Sequence, residues 1–136
     1  MRNTAIAKVF SDIADLLELK GENQFKIRAY QRAVRAIEHY PKEIKIMLDE
    51  GEDLRNIPGV GDAIAKKTTE LVTTGKLEYY EKLKAEFPPG ITNLLEIPGI
   101  GPRTANKLSS ELGITSIDSL EEAIKEGKVA KLFRLG

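Results

Sequence analysis

Two five-residue turns, Ile57-Pro58-Gly59-Val60-Gly61 and Ile97-Pro98-Gly99-Ile100-Gly101, carry the most legible chemistry of this chain. A turn of this form needs two glycines, because one must take a positive φ angle and the other must allow a close backbone approach, while proline holds the entry. With no side chains over Gly59 and Gly61, or over Gly99 and Gly101, the backbone N–H groups around Val60 and Ile100 can meet a phosphate oxygen directly. The N-terminus of the following helix adds to that attraction. Lys66 on the helix after the first turn and Arg103 after the second supply charge. The carbonyls of such turns also suit a monovalent cation. Contacts to phosphate carry no base information, so the expected binding is independent of sequence and sensitive to salt. A single Pro-Gly-x-Gly would favour a ligand-free connection between helices. Two copies, each followed by a helix and without an acid in the turn itself, favour phosphate, with Asp62 the one nearby contrary charge.

The elements around the turns read as helices. Ile6, Val9, Phe10, Ile13, Leu16 and Leu17 recur at helical spacing up to Gly21, a natural stop. From about Gln24 to Tyr40, the apolar stripe Ala29, Tyr30, Ala33, Ala36 and Ile37 faces away from Arg28, Arg32 and Arg35. No acid interrupts the stretch between Glu22 and Glu38, which also holds Lys26, so this helix offers a basic face. Pro41 leads into a helical stretch with Ile44, Met47 and Leu48. After the first turn, Asp62 to Val72 buries Ile64, Thr68, Leu71 and Val72 before Gly75, and Leu77, Tyr80 and Leu83 continue helically. Phe87-Pro88-Pro89-Gly90 breaks the pattern and marks a domain boundary. Leu94 and Leu95 then precede the second turn, Pro102 opens a helix with Ala105, Leu108 and Leu112, and Asp118 with Glu121 caps one more through Leu120 and Ile124. No segment alternates like a strand. The expected fold is all-α: a helical domain over 1–87 with the first turn, and a second unit over 88–136 that repeats its plan 40 positions later. The end of the chain, Lys131-Leu132-Phe133-Arg134-Leu135-Gly136, looks like the approach to a third turn, as in a fragment of a longer protein.

Composition narrows the function classes. The chain has 136 residues, 41% of them hydrophobic and 31% charged, and no apolar run of spanning length, which argues against a membrane reading. Its start lacks the uninterrupted apolar stretch and cleavage site of a signal peptide, so the expected location is cytoplasmic, nucleoid-associated in a prokaryote. There is no cysteine and one histidine, His39, which leaves no disulfide or thiolate site and argues against zinc. The 21 basic and 21 acidic side chains balance, so bulk charge does not nominate nucleic acid and the local clusters must. Tyr79-Tyr80 reads as a pair divided between solvent and core rather than a base-stacking platform.

Ala29-Tyr30-Gln31-Arg32-Ala33, the first turn through Ile64-Ala65-Lys66-Lys67, Thr74-Gly75-Lys76-Leu77 and the second turn through Pro102 together resemble the helix-hairpin-helix proteins. Within them, the chain resembles the N-terminal region of X-family (DNA polymerase beta-like) DNA polymerases. The resemblance implies a lyase-type domain to about Phe87, then the start of the subdomain that grips the duplex. It implies that the two hairpins bind the strands on either side of a gap or nick and hold Na⁺ or K⁺ through backbone carbonyls. Those carbonyls would belong here to Arg55, Ile57 and Val60, and to Leu95, Ile97 and Ile100. It aligns a 5′-phosphate pocket with Lys26 and Tyr30 and a Schiff-base lysine with Lys67. A neutral amine is needed for that role, whereas a charged one grips phosphate. On the helix wheel Lys67 borders the buried stripe and Lys66 points outward. The chain departs from the family pattern at Phe25, Ala63, Lys66 and Tyr79. Phosphate binding by Lys26 and Lys67 therefore ranks above 5′-deoxyribose phosphate lyase chemistry. No carboxylate set suits the two-metal centre of nucleotidyl transfer, so Mg²⁺ and polymerase chemistry are expected only in a longer parent. The expected partner is gapped or nicked DNA with a 5′-phosphate, bound by a monomer. The alternatives are a non-enzymatic tandem helix-hairpin-helix module of a recombination or repair protein, and a helical protein-interaction domain.

Overall fold

In the computed structural model, which describes residues 1–133, every regular element is helical. The first compact unit runs from Met1 to Lys82 and the second begins at Leu83. The first unit is built on α1 (Asn3–Lys20) and α2 (Gln24–His39), the most extensively packed pair of helices. Ile6, Ala7, Phe10, Ile13, Leu16 and Leu17 of α1 are buried together with Ile27, Tyr30, Ala33 and Ile37 of α2. The α2 stripe includes Ile27, absent from the expected set, while Ala29 and Ala36 are only half-buried at its margins. Gly21 ends α1 at φ 82°, donating its N–H to Glu18, and the Asn23 side chain accepts from Phe25 N–H at 2.7 Å to start α2. Arg28, Arg32 and Arg35 stay exposed along the outer side of α2.

The chain then turns through α3 (Ile44–Asp49), held by a residue far away in sequence. Asn3, 6% exposed, accepts the Ile44 N–H at 2.8 Å and donates to the Lys42 carbonyl at 2.9 Å, so it closes the start of α3 from the start of α1. A 3-10 turn, Leu54–Asn56, leads into the first hairpin, followed by α4 (Asp62–Thr74) and α5 (Glu78–Ala85). Ile64, Thr68 and Leu71 form the buried side of α4, and the Thr68 hydroxyl is satisfied by the Ile64 carbonyl at 2.7 Å.

The second unit comprises α6 (Ile91–Leu95), α7 (Pro102–Leu112), α8 (Ile117–Lys125) and α9 (Lys128–Leu132) around Leu83, Ile91, Leu94, Ala105, Leu108, Ile114, Leu120 and Ala123. Contacts separate the units inside α5, whereas composition puts the division at 87–90. Gly90 lies in the second unit on either division: a Cβ there would stand 2.3 Å from the Thr115 carbonyl oxygen and 2.9 Å from Ser116 Cα, so the residue is a close-packing point of that unit. The cap of α8 also differs from expectation. Ser116 accepts from Ser119 N–H at 3.1 Å and the Ser119 hydroxyl receives the Ser116 N–H at 3.2 Å, placing Asp118 inside the first turn and leaving Ile124 exposed. Arg134, Leu135 and Gly136 of the supposed third turn lie outside the described residues. Among the described residues no helix is long and apolar enough to cross a membrane.

Two tests follow from this packing. Gly90→Ala should cost the second unit about 1–3 kcal/mol, because backbone must move to admit one methyl; urea denaturation read against wild type measures it. Asp15 on α1 has its pKa raised, first by burial and then by the charges of Asp12 and Glu18. The ionised form is therefore penalised in the folded state: stability falls as pH rises from the unfolded pKa through the folded one, and the penalty is complete above it. Asp15→Asn should accordingly stabilise the protein by up to about 0.5 kcal/mol at neutral pH, with the gain vanishing in acid below both values. Melting curves across the acid range would show it.

Candidate nucleic-acid interface

The two hairpins have the same backbone construction 40 residues apart. Val60 N–H donates to the Ile57 carbonyl at 3.0 Å, and Ile100 N–H to that of Ile97 at 3.0 Å. Ala65 N–H donates to Gly61 O and Ala105 N–H to Gly101 O, both at 2.9 Å. Gly59 and Gly99 take φ of 94° and 88°, so the first glycine of each turn answers a backbone requirement. The second does not. Gly61 and Gly101 have extended backbone at φ −95° and −89°, open to any residue, and a Cβ on either would meet nothing within 4 Å. Neither backbone strain nor internal packing asks for glycine at these helix starts. Glycine at these positions leaves the first N–H groups of α4 and α7 without a side chain beside them.

Gly59 is also where the hairpin meets the basic helix. A Cβ on it would lie 3.2 Å from Ala36 Cβ and 3.4 Å from Arg32 Cγ. The aliphatic stem of Arg32 thus rests on the turn, and its guanidinium belongs to the same surface. In the second unit nothing packs within 4 Å of the corresponding point on Gly99, and Arg103 is exposed in the first turn of α7. The acids beside the first hairpin are partly neutralised. Arg55 pairs with Asp53 at 2.7 Å and with Asp62 at 3.2 Å. The hydrogen bonds from Arg55 hold the Asp53 carboxyl down at about 2 and push the guanidinium further up. The contrary charge of Asp62 is therefore met by its own counterion. The expected cation ligands are neutral oxygens, and Ile57 and Ile97 each keep a second lone pair after serving Val60 and Ile100, so the donor set fits a monovalent ion.

A third feature gathers residues from three elements. Phe10 of α1 stacks on Tyr30 of α2 with centroids 6.0 Å apart, and Tyr30 stacks on Tyr79 of α5 at 6.1 Å and 9°. The ammonium of Lys26 lies 5.5 Å from the Tyr79 ring centroid and that of Lys67 4.9 Å. Lys26 and Lys67, 41 residues apart in the chain, thus converge on one ring. Tyr30, expected both in the apolar stripe and in the phosphate pocket, is 5% exposed: its ring fills the α1–α2 seam and supports Tyr79 from beneath. Burial and the neighbouring Tyr79 phenol raise the Tyr30 hydroxyl pKa. Lys66, exposed, shares with Lys67 an open cleft whose acids have partners of their own: Glu78 pairs with Lys82 at 3.2 Å and Glu70 accepts the Glu78 N–H at 2.8 Å.

Tyr79 has a place that sequence reasoning did not assign to it. Tyr80, its neighbour, donates to Asp12 at 2.9 Å and is structural, but Tyr79 joins the lysines instead of dividing the pair between solvent and core. The signal was present in the spacing: Gly75 ends α4 at φ 77°, and the reversal it allows returns α5 beside the face that carries Lys67.

Comparison with known proteins agrees with this anatomy. Residues 1–77 match the family described as a helix-hairpin-helix domain, and residues 91–136 the one described as a SAM-like helix-hairpin-helix tandem. The chain is similar to the DNA polymerase/3'-5' exonuclease PolX of Bacillus subtilis (strain 168), at 34% identity over 136 residues, covering 100% of this chain and 23% of that protein. It is similar also to DNA polymerase lambda of Arabidopsis thaliana, at 30% identity over 120 residues, covering 88% of this chain and 22% of that protein. The chain therefore spans under a quarter of the length of these relatives. The resemblance to X-family polymerases and the all-α tandem organisation are both borne out. With the first family matched over residues 1–77 and both hairpins built alike, the chain belongs to the helix-hairpin-helix domain family.

Proposed function

We propose that this chain binds DNA through its phosphate backbone, without base preference, and directs the pair Lys26–Lys67 at the 5′-phosphate of a gap or nick. The observation that carries the reading is the pair of bare helix starts at Gly61 and Gly101, where glycine serves no internal need. Exposed Arg28, Arg32 and Arg35 extend the first hairpin's contact, Lys66 and Arg103 add to it, and the Lys26–Lys67 cluster supplies the cations a terminal phosphate needs. The similarity to two DNA polymerases supports a place in a longer X-family repair enzyme, whose polymerase centre and Mg²⁺ would lie outside this chain. Na⁺ or K⁺ at the hairpin carbonyls would bridge protein and phosphate.

Gel-shift titrations test this. Binding should be equal across sequences, and log affinity should fall linearly with log salt concentration. Gapped DNA with a 5′-phosphate should bind more tightly than the same duplex with a 5′-hydroxyl, and Lys26→Ala with Lys67→Ala should reduce that preference by about tenfold or more. Equal binding of both ends by wild type would remove the pocket and leave the hairpin grip. Salt-independent failure to bind DNA would favour a protein-interaction domain.

One observation favours lyase chemistry as a second reading: Lys67 is half-buried and shares its ring with another lysine. A neutral Nζ would add to the C1′ aldehyde of a 5′-deoxyribose phosphate and lose water to form an imine. Removal of a C2′ proton would then break the C3′–O bond and free the downstream strand. Borohydride should trap an adduct that Lys67→Ala abolishes; without a lysine-dependent adduct this reading fails.

A further inference from the structure

Lys26 and Lys67 present a physical problem that their neighbours do not solve with charge. Two ammonium ions are brought to one place, and no ion pair among the described residues involves either of them. The nearby acids Glu70 and Glu78 are engaged elsewhere, one with the start of α5 and the other with Lys82. Lysine is also a flexible side chain, whose four-carbon stem samples many rotamers. Left alone, the two heads would repel and spread into solvent. What they have in common is the Tyr79 ring, at 5.5 and 4.9 Å from the centroid, and the negative face of an aromatic ring attracts a cation without neutralising it.

The ring itself is fixed. It lies almost parallel to Tyr30, which is 5% exposed, and Tyr30 stacks on the fully buried Phe10, so the platform is continuous with the α1–α2 core. A carboxylate in the same position would gather the lysines equally well, but would occupy them as an internal ion pair and repel an anion. The aromatic face gathers them while leaving their charge unspent.

We infer that Tyr79 is the positioning residue of the anion pocket: its ring holds Lys26 and Lys67 together, still charged, for a phosphate monoester at a DNA 5′ end. This deepens the terminal-phosphate reading and rests on it. The preference for a monoester follows from charge, since the terminal group carries close to two negative charges and an internal diester one. The ring face rather than the phenol hydroxyl attracts the ammonium ions, so phenylalanine should keep the preference.

The experiment compares the dissociation constants of gapped duplexes with a 5′-phosphate and a 5′-hydroxyl for wild type, Tyr79→Phe and Tyr79→Leu. Wild type and Tyr79→Phe should share the same preference, and Tyr79→Leu should lose about tenfold of it. Tyr79→Leu with the full preference would overturn the inference and leave the pocket standing. Absence of any preference in wild type would overturn the pocket and the inference together. A second measurement does not depend on the leucine variant folding: in wild type the ε-methylene proton resonances of Lys26 and Lys67 should be shifted upfield by the ring, and both should move at one midpoint as a 5′-phosphorylated oligonucleotide is added. Unshifted resonances, or two unrelated midpoints, would count against Tyr79.

Discussion

The apolar seam between α1 and α2 is the constraint on which the first unit depends. Burying Ile6, Phe10, Ile13 and Leu17 against Ile27, Tyr30, Ala33 and Ile37 fixes the rotation of α2 about its own axis. Once that is fixed, Arg28, Arg32 and Arg35 have no choice but the outer side, Arg32 and Ala36 meet the first hairpin, and Tyr30 presents its ring to Tyr79. The cations are thus placed by hydrophobic packing rather than by ion pairs. That is the economical arrangement for a surface that must offer unpaired positive charge, since every internal counterion would weaken it.

The duplication is exact in backbone and divergent in side chains. Both turns close with the same hydrogen bonds, but the first has Asp62 at its helix start, bridged by Arg55 to Asp53, whereas the second has Pro102 followed by Arg103. The first leans on α2 through Gly59; the second has open space at Gly99. Two copies that keep the turn's backbone and change the residues around it are suited to two different stretches of one kind of ligand.

Much of this was legible in the sequence because it is local. Helical spacing gave α1, α2 and α4, glycine marked their ends, and the Pro-Gly-x-Gly repeat located both hairpins. The parts that were not legible depend on contacts across the chain. Gly90 reads as a linker residue next to two prolines, and only its approach to Thr115 and Ser116 reveals a packing role. Asp118 has the right type for a cap, but Ser116 and Ser119 form one two residues earlier. Asn3 gives no sign in sequence that it serves a helix start at Ile44. Tyr30 and Tyr79 were individually visible as aromatics; their parallel stacking, and with it the meeting of two lysines 41 residues apart, is tertiary information.

The contact of Gly59 with Arg32 and Ala36 bears on kinetics. A hairpin carried on a loose loop could release one phosphate at a time, peeling away while the rest of the surface stayed attached. Here a Cβ on Gly59 would stand 3.2 Å from that of Ala36, so the turn lies close against the basic helix and the two form one surface. A ligand held by both would then have to break the two contacts together to escape, and its residence time would follow their product rather than the weaker of them.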